Sequence, residues 1–341
     1  MKILVTGSAG HLGEALVRTL RQQNVEVVGL DILDSSFTTV VGSIADRNCV
    51  SQCMKGVNAV LHTATLHKPH VATHHMQNFV DTNITGTLVL LEEATSAGVG
   101  TFIFSSTTSV FGDALRPVAR QPAVWVTEDI TPVPKNIYGV TKTAAEDLCQ
   151  LFHKRHGLPT IILRLSRFFP EADDDASIRL AYEDANVKAN EFLFRRVDIE
   201  DVVQAHLLAV EKAAEVGFDR FIISATTPFL PEDLQVLQDN APAVVERRVP
   251  GYAELYQQLG WRMYSSIGRV YVNRKARRIL NWQPRYDFKS VLNCLQSGQN
   301  SLSPLARAVG SKKVSKKPHA WQSVVPSGES WRCKASTRCF A

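Results

Sequence analysis

The chain opens on a short apolar run, Ile3–Thr6, that passes at once into Thr6-Gly7-Ser8-Ala9-Gly10-His11-Leu12-Gly13 and then into a helical pattern over Leu12–Gln22. A strand, three glycines at this spacing and a helix leave few folds open. Gly7 permits a tight turn, Gly10 lets the backbone approach a pyrophosphate, and Gly13 lets helix and strand pack closely. The helix N-terminus, at His11 and Leu12, offers free N–H groups and a positive dipole end to phosphates. Strand-like runs recur at Val25–Leu30, Ala59–His62, Thr101–Ser105 and Thr160–Leu165, with helical stretches such as Asn83–Ala97 and Tyr138–His156 between them. Continuous apolar strands between amphipathic helices predict a parallel sheet buried on both faces. Right-handed crossovers then make it an α/β, doubly wound (Rossmann) sheet.

The second strand ends at Asp31, eighteen residues after Gly13. A carboxylate there can accept hydrogen bonds from ribose hydroxyls and would repel a 2′-phosphate, which favours NAD over NADP. From about Pro170 the alternation loosens, and Pro228, Pro231, Pro242 and Pro250 mark loops among short helices. The expected organisation is an NAD-binding domain over 1–169, with parts of 198–225 returning to it. A smaller C-terminal substrate lobe is expected over 170–300, and a basic, disordered tail over 301–341. The net charge of +5 belongs to that tail, which holds eight Lys/Arg and one acid; the preceding 300 residues carry 30 basic and 32 acidic side chains. A mildly acidic body argues against a nucleic-acid partner. No run of 18 apolar residues occurs, so no membrane span is expected. The N-terminus lacks a signal-peptide pattern, and six irregularly spaced cysteines read as reduced thiols. Both point to a cytoplasmic protein.

Tyr138-Gly139-Val140-Thr141-Lys142 places Tyr and Lys on one helix face. An ammonium beside a phenol favours the tyrosinate and lowers its pKa. The fifth strand-like run leads into Ser105-Ser106-Thr107-Thr108-Ser109, and a hydroxyl at the carboxyl end of a parallel strand sits at the sheet's binding edge.

These segments together resemble the NAD-dependent epimerase/dehydratase family, the extended short-chain dehydrogenases/reductases. The resemblance covers roughly residues 1–297 and rests on TGSAGHLG, Asp31, LHTAT at 61–65, DTNITGT at 81–87, FSSTTSVFG at 104–112 and YGVTK at 138–142, with echoes in FRRVDIEDVVQAH at 194–206 and NRKARRILNWQP at 273–284. It implies that Thr107, Tyr138 and Lys142 are catalytic, with Tyr138 as the general base. It assigns Gly7, Gly10, His11, Leu12, Gly13, Asp31, Ser43, Ile44, Thr63, Ala64, Thr65, Asn83, Ser105, Tyr138 and Lys142 to the cofactor side, Asn83 bracing the backbone. A homodimer through the helices near Asn83 and Tyr138 is also implied.

Two departures bear on the substrate. Ser43-Ile44 stands where the family often has an Asp before the apolar residue near the adenine. Arg167 stands where nucleotide-sugar members carry Asn, and Phe169-Pro170-Glu171 looks more like the sugar-acid dehydrogenases of the superfamily. Arg195 and Arg262 are the expected anion contacts, by resemblance to members in which arginines near these positions, Arg196 and Arg269 included, hold a diphosphate; Arg167 and Thr107 join them at the substrate. His67 and His70 follow the cofactor-lining segment and are expected to border the substrate cleft. Imidazoles suit zinc, but no carboxylate or cysteine falls at ligand spacing and the chemistry needs no metal, so none is expected. His62 reads as a hydrogen-bonded core histidine.

The expected function is Tyr-assisted hydride transfer at a secondary alcohol of a sugar or nucleotide-sugar, a small-molecule substrate, as an NAD-dependent oxidoreductase/epimerase. Thr108 and Ser109 occupy the positions of the dehydratases' acid/base pair, which argues against dehydration. The alternatives are a simple NAD-dependent dehydrogenase of a sugar, sugar acid or hydroxy acid, and a non-catalytic NAD-binding regulator.

Overall fold

The computed structural model describes residues 1–116 and 121–311. Its strands are β1 (Lys2–Thr6), β2 (Glu26–Asp31), β3 (Val40–Val41), β4 (Ala59–His62), β5 (Thr101–Thr107), β6 (Val124–Val126), β7 (Thr160–Leu165), β8 (Phe218–Ile223) and β9 (Arg269–Tyr271). Seven of them form one sheet in the order β3-β2-β1-β4-β5-β7-β8, and each pairing is parallel. The chain steps outward from β1 through β2 to β3, then returns to β4 on the other side of β1. The carboxyl ends of β1 and β4 therefore flank the topological switch point, where such sheets bind ligands.

Residues of β4, β5 and β7 are buried throughout, as a sheet covered on both faces requires. One face packs against the helices His11–Gln22 and Ile199–Val216 through Leu16, Leu20, Val202 and Ala209. The other packs against Arg47–Cys53, Gly86–Ser96 and Ile137–His156 through Val50, Leu90, Leu91 and Cys149. The helical winding expected from Asn83 begins earlier, with Met76–Phe79. Val80–Thr85 is a wider π-helical turn that runs into Gly86–Ser96, and such turns often accompany functional sites.

A second core lies among the helices Ala241–Arg248, Tyr252–Leu259 and Phe288–Gln296, with Leu193, Phe229 and Tyr256 at its centre. A parallel ladder of β6 on β9 joins it to the main body, with Val124 opposite Arg269. Neither strand was read from the sequence, since three residues carry too little alternation.

The sequence expectation for the tail needs correction at its start. Pro304–Val309 is a helix capped by the Ser303 hydroxyl, and Val309 is buried in the core beside the His11–Gln22 helix. Ser303 N–H and Leu305 N–H approach the carboxylates of Asp198 and Glu200 at 3.4 Å each. Apolar Leu305, Ala306 and Val309 at helical spacing outweigh the polar composition around them. The remainder, 312–341, lies outside the described residues.

Candidate active site

β1 ends in the glycine loop. Gly7 has φ of +72°, and a Cβ there would sit 2.7 Å from the Ala64 nitrogen. A Cβ on Gly13 would lie 1.9 Å from the Gly7 carbonyl oxygen, so any larger residue would push the helix off the loop. No side chain caps the His11–Gln22 helix at Gly10, which leaves its first N–H groups for an anion. Asp31, at the end of β2, folds over the same loop: its carboxylate accepts from Ala9 N–H and Leu33 N–H, both at 2.9 Å.

The segment after β4 is pinned to this loop. Thr6 hydroxyl accepts from Thr63 N–H and Ala64 N–H, both at 3.2 Å, while Thr63 hydroxyl donates to Thr6 carbonyl at 2.7 Å. His62, fully buried, bridges Thr6 Oγ1 (2.8 Å) and Thr87 Oγ1 (3.0 Å), a hydrogen-bonded core histidine. Asn83 sits behind Thr65 and Leu66. Its amide accepts from Thr65 hydroxyl and Leu66 N–H, both at 2.9 Å, and donates to Leu66 carbonyl and Thr141 hydroxyl, both at 3.0 Å. It braces the backbone without itself lining the cleft.

Period-two alternation along β5 turns Ser105 and Thr107 to one face and Ser106 to the other. Ser106 hydroxyl donates to Glu146 at 2.5 Å. Ser105 Oγ lies 2.8 Å from His206 Nε2, and His206 Nδ1 lies 2.8 Å from Val202 carbonyl. A carbonyl only accepts, so Nδ1 carries the proton and Ser105 donates to Nε2. Lys142 Nζ donates to Ser105 carbonyl at 2.7 Å and lies 3.9 Å from the Phe104 ring centroid.

The electrostatics differ from the sequence expectation at one point. Burial pushes the Tyr138 phenol up to about 12, with the adjoining Thr107 hydroxyl pulling the other way. No lowering by Lys142 accompanies it; the Lys142 ammonium lies on Ser105 carbonyl and over the Phe104 ring. Burial also brings Lys142 itself down to about 7, against the raising effect of Cys149 and Glu146.

Burial holds three histidines uncharged: His67 and His206 are lowered to about 4 and His62 well below its ordinary value. The unfolded chain takes up protons on these imidazoles below about pH 6.5, where the folded chain does not. Their contribution is therefore complete above pH 6.5 and is lost as pH falls toward 4. Asp201, raised by burial to about 7, acts in the opposite sense over that window. The measurement is therefore a difference. Between pH 6.5 and 4, denaturant unfolding shows the native protein losing stability faster than His206→Gln, by on the order of 3 kcal/mol at full shift.

The cleft above these strands has a volume of about 950 Å³. It runs from the glycine loop, Asp31, Ser43 and Ile44, past Thr63–Thr65 and Ser105, to Thr107 and Tyr138, and on to His67, His70, Arg167 and Arg195. Of the predicted site residues only Asn83, Lys142 and Arg262 are not in its wall. The first two brace it from behind. Arg262 is a correction: its guanidinium lies 5.2 Å from the Tyr182 ring centroid and donates to Ala181 carbonyl, drawn away by the aromatic face. His67, His70 and His74 pack ring against ring, at centroid distances of 4.4 and 4.9 Å, and His67 stacks on Phe169 at 5.5 Å.

Sequence reasoning missed several wall residues. Arg269 was noted only by resemblance. With Tyr271 it enters from β9 on one strand face, and Tyr271 stacks on Phe111 at 6.5 Å. Lys135 and Phe168 also line the cleft. The only available signal for β9 was its place ahead of NRKARRILNWQP.

The open helix end, the glycine contacts and the Asp31 carboxylate fit a dinucleotide. Comparison with known proteins agrees. Residues 3–223 match the model of the NAD dependent epimerase/dehydratase family. UDP-glucose 4-epimerase of Erwinia amylovora is 34% identical over 184 residues, 48% of this chain and only 52% of that protein, so the match spans about half of the relative's length. UDP-glucose 4-epimerase of Rhizobium meliloti (strain 1021) is 27% identical over 326 residues, 85% of this chain and 94% of that protein. A crystal structure of a short-chain dehydrogenase/reductase superfamily protein from Agrobacterium tumefaciens with bound NAD shares the fold, with a TM-score of 0.63, 24% identity, and coverage of 90% of this chain and 99% of that one. The chain belongs to the NAD dependent epimerase/dehydratase family, and its cofactor is NAD.

Proposed function

We propose that this protein oxidises a secondary alcohol of a sugar or nucleotide-sugar by Tyr138-assisted hydride transfer and works as an epimerase. The observation that carries the reading is the placement of Thr107 and Tyr138, close enough that the Thr107 hydroxyl pulls the phenol's pKa down, in the wall of the same cleft as the glycine loop and Asp31. NAD supplies the hydride acceptor when bound, and the other tasks fall to the chain. The first N–H groups of the His11–Gln22 helix hold phosphate, and the Asp31 carboxylate holds ribose hydroxyls. Thr107 Oγ1 hydrogen-bonds the substrate oxygen and favours the carbonyl that develops there. Tyr138 Oη takes the alcohol proton and returns it to the opposite isomer. Burial lifts its pKa to about 12, and taking the alcohol proton requires the tyrosinate. The forward step calls for positive charge beside it. Lys142 fixes the end of β5 through Ser105 carbonyl. Asn83 fixes the Thr65–Leu66 backbone opposite.

A dehydrogenase of a sugar acid is the second reading, favoured by Arg167 and Arg195 in the cleft wall, since paired guanidinium groups suit a carboxylate. One measurement separates the two. Purified, extensively dialysed protein is denatured and the released nucleotide quantified. An epimerase recycles its hydride and keeps its cofactor, so near-stoichiometric NAD is the expected result. A site that is empty but binds added NAD reversibly turns the reading to the dehydrogenase. A site that binds no NAD sinks both.

A further inference from the structure

Beyond Tyr138 two arginines of the cleft wall belong to a charged cluster, with Glu171 and Asp174 in the wall beside it. Arg167, Arg195 and Arg196 face Asp173 and Glu191. One oxygen of Asp173, Oδ2, accepts from Arg167 Nη1 and from Arg195 Nη2, each at 3.1 Å. Both arginines line the cleft. Each also has an Nε, buried from solvent, that donates no hydrogen bond. Two guanidinium groups converging on a single carboxylate oxygen form the arrangement that binds phosphate and carboxylate ligands.

The two acids are held differently. Glu191 is fully buried at the end of the helix Asp184–Glu191 and lies 2.8 Å from both Arg195 and Arg196. Asp173 reaches in from the irregular segment between β7 and the short helix Ala176–Ala181. Across the cleft that segment is tied by Lys68 to Asp174 at 2.7 Å, a pair with both side chains about half exposed, which contributes little. With Asp173 in place the cluster's formal charge is +1; with it withdrawn, +2.

We propose that Asp173 is an internal occupant of an anion seat between Arg167 and Arg195, and that an anionic group of the substrate, phosphate or carboxylate, takes the seat by displacing it. The inference rests on the cleft being the substrate site of a sugar-alcohol oxidoreductase. The seat selects for anion-bearing sugars, and Asp173 taxes their binding by holding the seat until they arrive.

The test is calorimetric titration of NAD-loaded protein with UDP-glucose, UDP, glucuronate and glucose, comparing the native chain with Asp173→Asn and Arg195→Gln. Asn keeps the side-chain shape and the bond that Asp173 Oδ1 accepts from Asp175 N–H at 2.9 Å. The expected result is that Asp173→Asn tightens an anionic ligand by about tenfold and Arg195→Gln weakens it by at least about thirtyfold. Neither changes the response to glucose. Tightening of UDP and UDP-glucose identifies the source as a diphosphate, and tightening of glucuronate alone identifies a carboxylate. Weaker or unchanged binding of every anionic ligand in Asp173→Asn overturns the proposal, as does failure of the native chain to bind any of them. Should Asp173→Asn lose its NAD affinity, hydrogen exchange on the native protein decides: amides of 172–182 exchange faster with the anionic ligand present, and unchanged or slower exchange is the overturning result. If the seat behaves as described while no sugar reduces NAD or changes isomer, the oxidoreductase reading fails and the seat stands. If turnover occurs and Asp173→Asn gives no tightening, the reverse holds.

Discussion

Tyr138→Phe lowers turnover by about 10²- to 10⁴-fold, the usual worth of a positioned general acid–base, and leaves NAD affinity nearly unchanged. The ring of Tyr138 is buried at the start of the helix Ile137–His156, and Phe fills the same space. What is lost is one hydroxyl and its interaction with the Thr107 hydroxyl, which lowers the phenol's pKa. Initial rates on the substrate that the native enzyme accepts, alongside fluorescence titration with NAD, separate the two effects. Turnover within a fewfold of native would remove Tyr138 from the chemistry. It would shift attention to Thr107 and to the non-catalytic alternative. A parallel loss of NAD affinity and thermal stability would instead show that the hydroxyl holds the fold.

Glu146→Ala is expected to be the most destabilising single change considered, at about 3–5 kcal/mol against a total of about 5–15 kcal/mol for a typical domain. Glu146 is buried on the helix that carries Tyr138 and Lys142. It accepts from Arg164 at 2.7 and 3.1 Å, from Arg220 at 3.2 Å and from Ser106 at 2.5 Å. Removing the carboxylate strands the buried Arg164 guanidinium, whose charge then has no counterpart and no water. Urea unfolding gives the number directly. A loss below about 1 kcal/mol would mean that the two arginines find other partners. The effect also reaches the cleft, because Ser106, tethered to Glu146, lies between Ser105 and Thr107 on β5.

Much of the main body was legible in the sequence because the signals there are local and redundant. A glycine loop between a strand and a helix, a carboxylate closing β2, and Tyr and Lys one helical turn apart each constrain a few neighbouring residues. They all point to one edge of one sheet. The substrate side was less legible. Arg262 and Arg195 look alike in sequence, yet one is drawn onto Tyr182 and the other into the cleft, and the difference is set by residues far away along the chain. Arg269 was visible as a residue but not as part of a strand, since β9 exists only through pairing with Val124–Val126, more than 140 positions earlier. The role of Glu146 was hidden for the same reason: a lone Glu on a helix reads as a solvated face until Arg164 and Arg220 arrive from two other strands. The expected lowering of Tyr138 by Lys142 failed because spacing along a helix does not say where a flexible ammonium settles. The tail expectation failed at 304–309 because composition averaged over forty residues conceals a six-residue helix.

That six-residue helix has a consequence for how the protein is made. Leu305, Ala306 and Val309 cover the same apolar layer that the His11–Gln22 helix begins. The first helix of the nucleotide half therefore receives part of its cover from side chains made far later in synthesis. Until then that part of the helix's apolar face stays open to water. An early helix thus depends on a late one, and the two ends of the described chain are made apart but buried together.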